Sequence, residues 1–134
     1  MDTTHLTLTT DDESTVVDIT GEAAAFCAGK GDGLLSVFVP HATAGLALIE
    51  TGAGSDYDLL AAIDRLLPPG DGWRHQHGSP GHGRDHVLPA FVSPSLVVPV
   101  EDGILGLGTW QSIVLVDTNV DNQRRSVTLS FLAG

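Results

Sequence analysis

Apolar and polar residues alternate from the start of the chain. In 5-HLTLTT-10 every second side chain is apolar, the pattern of a half-buried strand. The short run 14-STVVDIT-20 fits a second strand. Alanine-rich 21-GEAAAFCAG-29 opens on an acid and closes on Gly29, as a short helix does. The β-branched and aromatic content of 33-GLLSVFVPH-41 predicts a buried strand ending at Pro40-His41, and 46-LALIE-50 predicts the next. In 55-SDYDLLAAIDRLLPP-69 the period changes: Leu60, Ile63 and Leu67 fall on one helical face and Pro68-Pro69 ends the run. Ser55 with Asp58 three residues on has the spacing of a capping box.

After that helix the regular pattern stops. The stretch 72-GWRHQHGSPGHGRDHVLP-89 holds four of the six histidines, and five glycines lie between residues 70 and 83, so an irregular loop is expected. Strand patterns return in 95-SLVVPVEDG-103, 104-ILGLG-108, 109-TWQSIVLVDT-118 and 124-RRSVTLSFL-132. Successive strands joined by tight Gly or Asp turns indicate a mainly antiparallel sheet. The expected fold is α+β, a β-sandwich or partly closed barrel with about two helices, forming a single domain over residues 1–134.

Composition narrows the function classes. Apolar residues make up 42% of the 134 and run the whole length, enough for one packed core. Seventeen acids face six bases, of which only Lys30 is a lysine. Such a surface repels nucleic-acid phosphates, and no basic stripe offsets it. No apolar run reaches the roughly 20 residues that span a bilayer, and no leader pattern is read at the N-terminus. The expectation is a cytoplasmic protein with neither nucleic-acid nor membrane partners. Cys27, the single cysteine, reads as a small core residue.

The histidines carry the candidate chemistry. Zinc takes three or four nitrogen, sulfur or oxygen ligands, and neutral imidazole supplies the nitrogen. His75 and His77 share a face only if their segment is extended. His82 and His86 share one only on a helix, against which Gly81 and Gly83 argue. Neither spacing is a regular metal motif, so a solvated polar loop, a metal site and metal-free acid–base work all stay open at this point. His41 sits at the end of a buried strand, a rigid place from which to present a ligand. Glu50, at another strand end, can act as ligand, as orienter of a ligating histidine or as base. His5 reads as an exposed bystander.

Four pieces together resemble the YjbQ-like family, also called the secondary thiamine-phosphate synthase enzyme family. They are 41-HATAGLALIE-50, the WRH at 73–75, 86-HVLPAFVSPSLVVPVEDG-103 and 108-GTWQSIVLVDTNVDNQRRSV-127. They match the family in content, order and spacing over roughly residues 35–130. The resemblance implies a small α+β domain assembled as a homotrimer, with a site rich in histidines and acids. It also implies a reaction on small phosphorylated molecules, thiazole phosphate joined to a pyrimidine diphosphate with loss of pyrophosphate, as a secondary activity. A non-enzymatic module that binds a metal or small ligand is the alternative.

Carried onto this chain, the family's histidines fall on His41, His75 and His86. Its acids fall on Glu50 and Asp58, the expected catalytic pair, and its TWQ element on Thr109, Trp110 and Gln111. Arg84 stands where relatives carry a histidine or aspartate. His82 is therefore the expected replacement ligand, and Arg84 is assigned with Thr43 and Gln111 to substrate contact. His77 drops back to a bystander. Imidazole ligands favour zinc over magnesium as the divalent metal, although diphosphate chemistry is more often served by magnesium held by oxygens.

Overall fold

The computed structural model of the protein describes residues 1–70 and 72–134. Its elements run β1 (Asp2–Thr9), β2 (Thr15–Asp18), α1 (Thr20–Cys27), β3 (Gly33–Phe38), β4 (Ala44–Ile49), α2 (Ser55–Leu66), α3 (His82–Asp85), β5 (Ser95–Glu101), β6 (Ile104–Leu105), β7 (Ser112–Asp117) and β8 (Arg124–Ala133). A single 3-10 turn at Leu88–Ala90 precedes β5. Five strands form one antiparallel sheet in the order β1-β8-β3-β5-β6, and three form a second, β2-β7-β4. This is the α+β architecture that the pattern predicted.

β7 shows how sequence alternation becomes packing. Ile113 and Leu115 point into the core between the two sheets, beside Leu35, Val37, Val98 and Leu129. Val114 and Val116 point the other way, onto Ile63 of α2 and Leu67 at its C-cap. All four are fully buried, and each such side chain contributes about 1.5–3 kcal/mol through burial. A strand covered on both faces reads as a continuous apolar run, as 113-IVLV-116 does. Helix α1 adds Ala23 and Cys27 to the core between the sheets.

The expected apolar face of α2 is present, with Ile63 and Leu67 buried and Leu60 packed beside them. Its start differs from the capping-box expectation. Gly54, at φ 98°, occupies the cap position, Ser55 is the first helical residue, and no side chain caps the helix. The chain needs a left-handed turn to enter α2 from β4, and that puts the serine one position too late.

The outer face of the five-stranded sheet is free of charge across its centre. Leu34 lies opposite Leu132 and Pro99, Ser36 opposite Ser130 and Val97, and Phe38 opposite Thr128 and Ser95. Among the described residues no helix is long and apolar enough to cross a membrane.

Candidate metal centre

The histidine stretch is more ordered than its glycines suggest. His82–Asp85 forms one helical turn, α3, with His86 as its C-cap, so the i,i+4 pair shares a face after all. Gly83 does not break the turn; it makes room. A Cβ there would overlap the His75 carbonyl and come within 2.8 Å of the Trp73 Cβ. The missing side chain therefore lets the 73–75 segment lie directly on α3. Trp73 fixes that segment, because its ring packs in the cluster under α2 and its Nε1–H donates to the Pro68 carbonyl at 2.8 Å.

This close approach brings His75, His82 and His86 together, with one ligand-capable nitrogen of each within 4.8 Å of the others. The His75 and His86 rings stack at 4.2 Å between centroids. His86 Nε2 and His82 Nε2 lie 2.9 Å apart. Two nitrogens of a tetrahedral zinc shell sit about 3.3 Å apart, so a small spreading of this pair would fit an ion. His75 Nε2 is buried and has no hydrogen-bond partner among the described residues. His77 is exposed, with its ring 4.0 Å from that of His75. A cavity of about 390 Å³ opens beside the cluster, lined by Trp73, His75, His77 and the 78–81 loop.

Burial pushes His75 below the ordinary imidazole range, and the neighbouring His77, His86 and His82 rings push it further. Burial likewise lowers His86, with His82 and His77 adding to the effect. His75 and His86 are thus favoured as neutral imidazoles, the form that ligates metal.

Buried polar groups pin α3 from two sides. Arg84, 5% exposed, donates to Asp64 at 2.8 Å, to the Leu67 carbonyl at 3.0 Å and to Asp85 at 2.9 Å. Its guanidinium braces α3 against α2 and faces away from solvent, so the expected anion contact at Arg84 is instead an internal tie. Asp85 accepts from Thr118 Oγ1 at 2.6 Å and Asn119 Nδ2 at 3.3 Å, which fastens α3 to the end of β7. Asn119 Nδ2 also lies 3.1 Å from His82 Nδ1, and Asp121 Oδ2 lies 2.9 Å from the same nitrogen.

The remaining expected site residues lie elsewhere. His41 stands outside the cluster, and its Nε2 accepts the backbone N–H of Ser126 at 2.9 Å. Thr43 is buried, with its Oγ1 3.4 Å from Arg125 Nη2, and Arg125 is paired with Asp117. β4 and β7 run antiparallel with Ala44 opposite Asp117 and Ile49 opposite Ser112. Thr43 is thus at the same end of the small sheet as the histidine cluster, while Glu50 and Gln111 are at the opposite end. Glu50 is exposed, and Gln111 Oε1 accepts the Gly108 N–H at 2.8 Å. Asp58 is exposed in the first turn of α2, on the Glu50 side. Sequence reasoning missed Asp85, Asn119 and Asp121. Their available signal was 117-DTNVDN-122, a strand end crowded with residues that bond backbone and side-chain donors.

Burial lowers His41, and the Arg125 charge lowers it further. A histidine whose folded pKa lies below its unfolded value of 6.5 leaves the unfolded chain holding more protons just below that pH. His41, His75 and His86 share this direction. The melting temperature of metal-free protein should therefore be flat above about pH 7 and fall as pH drops below 6.5, which a melting series from pH 8 to 5 would read.

Fold and site together define a small two-sheet α+β domain with a histidine cluster at one rim of its three-stranded sheet. The family model described as UPF0047 protein YjbQ-like matches residues 4–134, and the chain belongs to that family. It is similar to the UPF0047 protein Rv2556c of Mycobacterium tuberculosis, 65% identical over 119 residues, 89% of this chain and 90% of that one. A UPF0047 protein of Archaeoglobus fulgidus is 34% identical over 123 residues, covering 92% and 96%. Among solved structures, hypothetical protein APE1520 of Aeropyrum pernix superposes with a TM-score of 0.88 at 34% identity, covering all of both chains. A YbjQ-like protein of Sulfolobus solfataricus superposes with a TM-score of 0.91 at 27% identity, covering 99% and 97%.

Proposed function

We propose that His75, His82 and His86 hold a divalent ion, zinc rather than magnesium, and that a small phosphorylated molecule is bound and transformed beside it. The observation that carries this reading is His75 Nε2, buried in a ring of histidines without a partner among the described residues. Buried polar atoms are nearly always satisfied, and an ion would satisfy this one. Imidazole donors suit zinc, whereas magnesium prefers oxygen ligands and keeps its waters. Bound there, the ion would supply a positive charge and an open coordination position for an anionic group. Arg84 and Arg125 do not supply that charge, since both are paired internally. Asp85 and Asn119 hold α3 in place, and His77, on the exposed side of the cavity, is the group placed to exchange a proton with a bound molecule.

The substrate class agrees with the condensation of thiazole phosphate and pyrimidine diphosphate, held here as a secondary activity. Self-association as a homotrimer belongs to the same reading. Each copy carries a net charge of −11, and the uncharged outer face of the five-stranded sheet, with Leu34, Phe38, Val97 and Leu132 exposed, is where another copy can approach.

One observation favours a metal- or ligand-binding module without turnover. Glu50, one of the expected catalytic carboxylates, stands at the far end of the small sheet from the histidines, and Asp58 lies exposed in the first turn of α2. Purified protein separates these readings. Elemental analysis should find about one zinc per chain, light scattering should give the mass of three chains, and pyrophosphate should be released from the two thiamine precursors. His86→Ala should lose both zinc and release. Zinc without release in the wild type would favour the binding module, and no zinc uptake at all would sink the centre.

A further inference from the structure

Beyond the three histidines, the geometry points to Asp121 as the positioning residue of the centre: we infer that its carboxylate fixes the tautomer of His82 so that Nε2 is left to bind metal. This rests on the proposed centre. Two side chains meet His82 Nδ1, the Asp121 carboxylate at 2.9 Å and the Asn119 amide nitrogen at 3.1 Å. The orientation of Asn119 is settled by its neighbours. Its Oδ1 accepts the backbone N–H groups of Asp121 at 2.9 Å and Asn122 at 3.2 Å, which turns Nδ2 toward Asp85 and His82. If Nδ1 accepted from Asn119, the Asp121 carboxylate would face a lone pair. If Nδ1 carries the proton, it donates to a carboxylate, and Asn119 still has Asp85 as its acceptor. A charge-assisted bond is about twice as strong as a neutral one, so the proton belongs on Nδ1. Nε2 is then left with its lone pair, facing His86 Nε2 at 2.9 Å. Carboxylate–histidine–metal relays of this kind set ring orientation and raise ligand basicity.

The same carboxylate also holds the cavity wall. Asp121 accepts from the Ser79 Oγ–H and, at 3.1 Å, from the Ser79 backbone N–H. Those bonds lower the Asp121 carboxyl below its ordinary range, with His82 adding to the effect. Gly78 lets the loop sit this close. At φ 84°, a Cβ there would lie 2.7 Å from the His82 ring and 2.9 Å from the Asp121 carboxylate.

Cobalt(II) serves as the probe, with wild type, Asp121→Ala, Asp121→Asn and Ser79→Ala compared. Asp121→Ala should weaken cobalt binding by roughly 10–100-fold and change its visible absorption. Asp121→Asn, which keeps an acceptor without the charge, should recover part of the loss. Ser79→Ala, which leaves the His82 bond in place, should stay within about threefold of wild type. On metal-free protein, long-range nitrogen–proton spectra should show His82 as the Nδ1–H tautomer in wild type and not in Asp121→Ala. A wild-type Nε2–H tautomer, wild-type cobalt affinity in Asp121→Ala, or an equal loss in Ser79→Ala would each overturn the inference. Failure of the wild type to bind cobalt would instead overturn the centre, and this role of Asp121 with it.

Discussion

Asp117→Ala should destabilise the protein by about 3–5 kcal/mol and lower its melting temperature by about 10 °C or more. Asp117 is fully buried at the end of β7, and Arg125, opposite it across the core, is only 2% exposed. Both carboxylate oxygens accept from the guanidinium, and one also accepts the Asn119 N–H at 2.9 Å. Removing the aspartate leaves a buried guanidinium with, among the described residues, only the 3.4 Å contact to Thr43, the situation in which a lost buried partner costs most. Removing both charges should cost less than removing either. The double variant Asp117→Leu/Arg125→Met is therefore expected to melt above Asp117→Ala. Additive losses in that comparison would mean the two residues act separately, contrary to the bonds seen between them.

The same corner also sets what could be read from sequence. Alternation and period located the strands and α2 because burial is periodic: 113-IVLV-116 packs two ways, and Ile63 and Leu67 fall on one face. The histidine stretch defeated the same rules. In sequence, glycine reads as a breaker of helix, but Gly83 is required by a second backbone pressing on α3, and such tertiary contact leaves no periodic trace. Spacing likewise does not report which end of a strand a residue occupies relative to another strand. Glu50 and His75 could both be nominated, but only the antiparallel register of β4 on β7 shows that they lie at opposite ends.

The network from Arg125 to His82 is continuous through Asp117 and Asn119, with Asp85 branching from Asn119. It gives the histidine cluster a rigid base on β7 and, through Arg84, a second tie to α2. An ion bound as proposed would meet nitrogens already held near one another, which lowers the ordering cost of binding.

That link yields the other large effect. Zinc at a free concentration of 100 times its dissociation constant should stabilise the folded protein by about 2.7 kcal/mol, raising the melting temperature by roughly 5–10 °C. His75→Ala, His82→Ala and His86→Ala should each remove most of that rise. His75 adds a test of sign. Its Nε2 is buried with no partner among the described residues, so in metal-free protein His75→Ala should melt at or above the wild-type temperature. A residue kept only for packing behaves the other way, destabilising the protein with or without zinc when it is truncated. Melting curves of wild type and His75→Ala, each with chelator and with zinc, therefore distinguish a ligand from a core residue. A His75→Ala protein that melts several degrees low in chelator, and is still raised by zinc as the wild type is, would assign His75 to the scaffold and leave the centre without its third nitrogen.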